Sequence, residues 1–227
     1  MNTIIIIPAR GGSKRIKNKN IALLKNKPLL SYTIDTLIEA NLLAHTRVSS
    51  ENYLIKQIAK KQGVQIIDRP PELASDNAST ESVLLDALKQ LAKVGVNPQW
   101  VMTLPPTSPF RKAKTIKLFM DKIDIIKEDI DCIMSVSATK DDFWRSDDKM
   151  ILSRLLEDAP RRQQDRQPLY IENSAIYITR VSSLKNYNNI LGKKTLGIPL
   201  DNLQSIDINT QEDLDYAEFL LTKSNLD

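Results

Sequence analysis

"IIIIPARGGSKRIKNKN", residues 4–20, sets four isoleucines directly against a loop carrying Arg10, Gly11, Gly12, Ser13, Lys14, Arg15, Lys17 and Lys19. Residues 3–7 form a short, continuously apolar, β-branched run, the pattern of a strand buried on both faces in the middle of a parallel sheet. The cationic loop therefore leaves the end of a central strand. Pro28 suits a first helical turn, and Leu30, Ile34, Leu37, Ile38 and Leu42 follow at helical spacing. The first unit is strand, long loop, helix.

Working outward, strands are predicted near 47–49, 64–67, 100–104 and 132–136, with helices near 53–62, 83–91 and 114–127. This alternation predicts an α/β, doubly wound, mainly parallel sheet, whose ligand sites lie at the carboxyl ends of its strands. Between Thr139 and Tyr170 the rhythm breaks into a charged stretch with aromatics, a candidate insertion over 140–172. It resumes with strands at 175–179 and 196–199 and a last helix at 212–221, before which Thr210 and Asp213 are spaced as a capping box. A length of 227 residues suits one domain, 1–227.

Composition excludes several chemistries. One cysteine, Cys132, and one histidine, His45, rule out an internal disulfide and leave zinc sites and Ser-His or Cys-His catalysis poorly supplied. Both are read as structural, and any metal must be held by carboxylates. No apolar run nears the roughly 20 residues that cross a bilayer, and residues 4–7 are too short and lack the basic flank of a signal peptide. The expectation is a cytoplasmic protein without a membrane partner. The net charge of +4 does not demand nucleic acid, and with 5% aromatics and none in the first loop, stacking partners for single strands are missing.

A loop that wraps phosphate needs glycines, for close approach of backbone N–H groups, and cations to offset the charge. Arg10, Gly11, Gly12, Ser13 and Lys14 supply both within five residues. Neither G-x-x-x-x-G-K-[ST] nor G-x-G-x-x-G fits, so a P-loop ATPase and a standard dinucleotide fold are excluded. A merely solvated basic loop is the competing reading.

"IPARGGSKRIKNKNI", "DRPPELASDNAST" (68–80), "LPPTSPFR" (104–111), "YIENSAIYIT" (170–179) and "SIDINTQEDLDYAE" (205–218) together resemble the acylneuraminate (nonulosonic acid) cytidylyltransferase family, in its order and spacing. The resemblance implies a Rossmann-like sheet of the nucleotide-diphospho-sugar transferase type. It also implies transfer of a cytidylyl group from CTP to the anomeric hydroxyl of a nonulosonic acid, with Mg²⁺, for surface glycans. By the same resemblance Arg10 and Lys19 bind phosphates, Lys19 with the stronger catalytic role. Asn20 contacts the nucleotide, and Gly11, Gly12, Ser13 and Lys14 complete the cradle. Arg69 matches the arginine that reads the base, with Ala78, Ser79 and Thr80 beside it; Thr80 also suits a helix cap. The metal pair corresponds to Asp207 and Asn209, and the sugar-binding set to Thr107, Ser108, Tyr170 and Asn173, with Arg161, Arg162 or Arg166 placed to supply the cation that this sequence lacks at 171.

The pattern departs mostly where the family handles the sugar. Pro105 stands where the family has a glutamine, Ile171 where it often has an arginine, and Ser174 where it has a glycine. Asn209 replaces the second aspartate of D-x-D and removes one negative charge from the metal pair. The excursion resembles the family's dimerisation arm, which implies a homodimer; Phe143, Trp144, Met150, Ile151, Leu155 and Leu156 either face a second copy or pack on their own domain. Two other readings stay open: a cytidylyltransferase for an eight-carbon 2-keto sugar acid, and a nucleotide-binding module with little catalysis.

Overall fold

The computed structural model describes residues 2–126 and 129–223. In chain order the elements are β1 (Thr3–Pro8), β2 (Leu23–Leu24), β3 (Lys27–Pro28), α1 (Leu29–Glu39), β4 (Thr46–Ser50), α2 (Tyr53–Lys61), β5 (Gln65–Asp68), α3 (Thr80–Lys93), β6 (Trp100–Thr103), α4 (Ala113–Ile123), β7 (Cys132–Thr139), β8 (Trp144–Ser146), β9 (Leu152–Arg154), β10 (Leu169–Arg180), α5 (Val181–Tyr187), β11 (Thr195–Pro199) and α6 (Gln211–Lys223). The helix expected over 114–127 ends at Ile123, and Lys127 lies outside the described residues.

Seven strands form one sheet in the order β11-β7-β10-β6-β1-β4-β5, parallel except for β10, which runs antiparallel between β6 and β7. The isoleucines of β1 explain its place. Ile5 and Ile7 pack with α1, α2 and α4, while Ile4 and Ile6 pack with α3 and α5, so both faces of this strand are covered. Each fully buried isoleucine contributes roughly 1.5–3 kcal/mol of burial.

A third apolar cluster sits at the carboxyl end of the sheet. Ile16 from the first loop, Leu24 of β2, Phe110, Ile208 and Leu214 of α6 pack together there. It clips the sequence blocks to one another. The capping box forms as expected: the Thr210 backbone N–H donates to Asp213 at 2.8 Å and the Asp213 N–H to the Thr210 hydroxyl at 3.3 Å.

β10 is longer than the strand expected at 175–179, because Leu169–Glu172 keep pairing with Thr139 to Val136 of β7. The excursion between paired residues therefore covers 140–168. The register shifts between Glu172 and Tyr177, and within this bulge Ser174 sits at φ 59°, the left-handed region that favours glycine. Ser174→Gly is accordingly expected to raise stability by about 1 kcal/mol, seen as a higher denaturant midpoint. A lower midpoint would show that the Ser174 hydroxyl, 3.2 Å from the Tyr177 hydroxyl, outweighs the strain.

The excursion carries the β8–β9 hairpin and is held by charge: Asp142 accepts from Arg154 Nε at 2.9 Å and Arg166 Nη2 at 3.1 Å. Trp144, Met150, Ile151, Leu155 and Leu156 are all exposed. Phe143 is partly covered and lines a small pocket of the excursion with Leu156, so packing within the chain takes up part of this set and leaves the rest open to solvent. Cys132 is buried in β7, where burial pushes its thiol up to about 12, and His45 lies in the turn before β4. Among the described residues no helix is long and apolar enough to cross a membrane.

Candidate active site

At the carboxyl end of β1 the first loop turns over a cleft of about 580 Å³. Gly11 is required by packing: a Cβ there would stand 2.3 Å from Asn52 Nδ2, and that asparagine caps α2 by accepting from the Ile55 N–H. The Gly11 N–H donates to Glu51 Oε1 at 2.7 Å. A Cβ on Gly12 would meet nothing within 4 Å, so this glycine leaves bare backbone on the cleft wall. Asn20 is buried in a short 3-10 turn, and its Nδ2 donates to the Arg10 carbonyl at 2.9 Å, closing the loop on itself. Its roles as turn residue and as cleft wall coexist.

The second block faces the first across the cleft. Arg10 Nη1 donates to the Ala74 carbonyl at 3.4 Å, Arg10 Nη2 pairs with Asp76 at 2.8 Å, and Lys14 Nζ pairs with the other Asp76 oxygen at 2.8 Å. Arg69 is buried at its base. Its Nε and Nη2 are spent on Ser49, at 3.2 and 2.8 Å, which leaves Nη1 for a ligand. Burial pushes this guanidinium down to about 10, against the pull of Glu51, so it stays charged at neutral pH. Ala78, Ser79 and Thr80 line the same wall. The helix cap is Ser79, whose hydroxyl accepts from the Ser82 N–H at 3.1 Å; Thr80, read as a capping residue, is instead the first residue of α3.

The fifth block meets the first through Lys19. Its Nζ donates to Asn209 Oδ1 at 3.1 Å, and Asn209 Nδ2 donates to Asp207 Oδ2 at 2.6 Å. The Ile208 N–H donates to the Thr107 carbonyl at 2.8 Å, which joins the third block to the same corner. Burial lowers the Lys19 ammonium below its ordinary range, as do Arg15 and Arg10, while Asp207 and Asp213 raise it. Asp207 Oδ1 is buried without a hydrogen-bond partner. This orphaned carboxylate oxygen is the donor that suits a hard cation, so Asp207 fits Mg²⁺ with phosphates and water completing the shell, whereas Asn209 turns its amide nitrogen to Asp207 and its oxygen to Lys19 and fits as a second ligand only when that oxygen is released. Among the described residues no cluster of three His, Cys, Asp or Glu side chains is placed to hold a metal unaided.

The expected sugar-binding residues divide. Thr107 lines the cleft beside Pro105, whereas Ser108 is buried with an unpartnered hydroxyl. Asn173 does not line the cleft: its amide is consumed by Ser135 at 2.5 Å, Ser137 at 3.2 Å and Ser205 at 3.1 Å, cross-linking β7 and β10 to the fifth block. Arg162 and Tyr170 are exposed on or beside the excursion and do not enter the cleft of their own chain. Asp76, Arg15, Glu51 and Asn52 were without a role in the sequence. For Glu51 and Asn52 the signal is positional, since they follow a strand that neighbours β1 and precede a helix.

The fold and the site define an α/β protein with a mainly parallel sheet and a cationic, glycine-bearing loop over a cleft at the carboxyl end of a central strand. Within that class, the chain belongs to the cytidylyltransferase family, whose sequence profile matches residues 4–223. An N-acylneuraminate cytidylyltransferase of Streptococcus agalactiae is 32% identical over 219 residues, covering 94% of this chain and 52% of that protein. The chain thus spans about half the length of that relative. A CMP-N,N'-diacetyllegionaminic acid synthase of Legionella pneumophila is 30% identical over 228 residues, 97% of each. A solved CMP:2-keto-3-deoxy-manno-octonic acid synthetase, complexed with CTP, superposes with a TM-score of 0.68 at 16% identity, covering 98% of this chain and 99% of that one, a likeness of fold.

Proposed function

We propose that this chain transfers the cytidylyl group of CTP to the anomeric hydroxyl of a nonulosonic acid of the sialic, legionaminic or pseudaminic type, releasing pyrophosphate. The observation that carries the reading is the convergence of Arg10, Lys14 and Lys19 with Arg69, Thr107 and Asp207 at one end of the sheet, in a chain of this family. Arg10 and Lys14 offset the charge of the β- and γ-phosphates. The sugar hydroxyl, losing its proton to water, attacks the α-phosphorus while the bond from that phosphorus to the bridging oxygen breaks in line and pyrophosphate departs, and Lys19 offsets the charge that develops there. Arg69 reads the acceptors O2 and N3 of cytosine. Mg²⁺, held by Asp207 and Asn209, would neutralise and orient the phosphates.

A homodimer formed through the excursion is part of the proposal: its exposed apolar side chains support it, and Arg162 and Tyr170 would then reach a partner's site. We place the reaction in the cytoplasm, where CTP is available. The test is pyrophosphate release from CTP with a panel of 2-keto sugar acids. Release with nonulosonic acids is expected, release only with an eight-carbon acid would reassign the substrate, and CTP binding without any release would leave a binding module. Asn209→Asp should tighten Mg²⁺ binding about tenfold by adding a charge to the pair. This is measured as a larger Mg²⁺-dependent rise in melting temperature, and an unchanged rise would remove Asn209 from the metal site.

A further inference from the structure

Asp76 is the one acidic side chain among the described residues that line the cleft. Its two oxygens are divided between two cations, Oδ1 at 2.8 Å from Arg10 Nη2 and Oδ2 at 2.8 Å from Lys14 Nζ. This is how oxygens of a β- or γ-phosphate would engage the same pair. The three groups are partly to largely exposed, with side-chain exposures of 31% for Arg10, 38% for Asp76 and 81% for Lys14, so these ion pairs add little to the fold and are readily exchanged. The backbone of the same segment also touches Arg10, through the Ala74 carbonyl at 3.4 Å. Hydrogen bonds from Lys14 and Arg10 hold the Asp76 carboxyl below the usual carboxylate range, so it is ionised at neutral pH.

We propose that Asp76 is a built-in competitor for the triphosphate: its carboxylate occupies Arg10 and Lys14 whenever the β- and γ-phosphates are absent, and so weakens binding of CTP and of departing pyrophosphate. The proposal rests on the cytidylyl-transfer reading for its meaning. CTP must displace Asp76 from both cations to seat its outer phosphates, and a multiply charged triphosphate does so against a single carboxylate. Once the bond between the α-phosphorus and the bridging oxygen is broken, Asp76 returns to the same cations as pyrophosphate leaves. A ligand with only an α-phosphate has no need to displace it. Asp76 is thus a specificity-determining residue for the outer phosphates, and it favours product release.

Isothermal titration of the full chain with CTP, inorganic pyrophosphate and CMP, each with Mg²⁺, tests this on wild type, Asp76→Asn and Asp76→Ser. The variants should bind CTP and pyrophosphate about 3- to 10-fold more tightly, as two surface ion pairs no longer need to be broken. CMP affinity should change less than twofold, and pyrophosphate should become a stronger product inhibitor. Unchanged or weaker pyrophosphate binding overturns the proposal. Equal tightening of CMP does so too, since it would be a general charge effect, and so does a large fall in melting temperature of both variants, which would make Asp76 structural. Failure of the wild type to bind CTP would instead count against the proposed function, while the pyrophosphate arm would still report on Asp76.

Discussion

Replacing Lys19 by alanine is expected to lower kcat/KM for pyrophosphate release by about 10²–10³-fold, the usual scale for one preorganised charge at a developing anion, with the fold intact. The ammonium reaches the corner where the first and fifth blocks meet and is oriented there by Asn209 at 3.1 Å. It is half-removed from solvent, so water does not replace it at full strength. The melting temperature should stay near wild type, because no apolar cluster includes this side chain. Turnover within a few-fold of wild type would remove Lys19 from the phosphate chemistry.

Arg111→Met is expected to produce the largest loss of stability, roughly 2–4 kcal/mol on the scale of charged hydrogen bonds broken in the interior. The Arg111 side chain is buried and its guanidinium donates to the Ala175 carbonyl at 2.8 Å, the Thr33 hydroxyl at 2.6 Å and the Pro105 carbonyl at 2.8 Å. It therefore ties β10, α1 and the loop after β6 together beneath the cleft. Burial pushes the group down to about 9, with Asp207 pulling it back up, and it remains charged at neutral pH. Methionine fills much of the space but leaves three acceptors without a donor. Arg111→Lys should not restore stability, because an ammonium cannot fork to acceptors on three elements. Urea unfolding reads the effect directly, and a wild-type midpoint for Arg111→Met would show that the three acceptors find other partners.

Local patterns made much of the fold legible. The doubly buried β1 is written in consecutive isoleucines, the helices in their 3.6-residue repeats, and the start of α6 in the Thr210 and Asp213 pair. These signals depend on neighbours within a few residues. The beginning of β10 is not legible in the sequence because Leu169–Glu172 are strand only through pairing with β7, a partner some 30 residues away in sequence. Thr80 reads as a cap in the sequence because Ser79 and Thr80 are adjacent and chemically alike, and only backbone geometry separates them.

For the site, residue chemistry by itself determined that a cationic, glycine-bearing loop of the composition that suits phosphate leaves the end of a central strand, and that any metal would rest on carboxylates. Tertiary structure decided which charges share a space. Asp76 on Arg10 and Lys14, Asn209 between Lys19 and Asp207, and Asn173 consumed by three serines are all contacts between segments far apart in sequence. Electrostatics and hydrogen bonding act over a few ångströms of space. The packing of Ile16, Leu24, Phe110 and Ile208 at the sheet end brings those segments within that range.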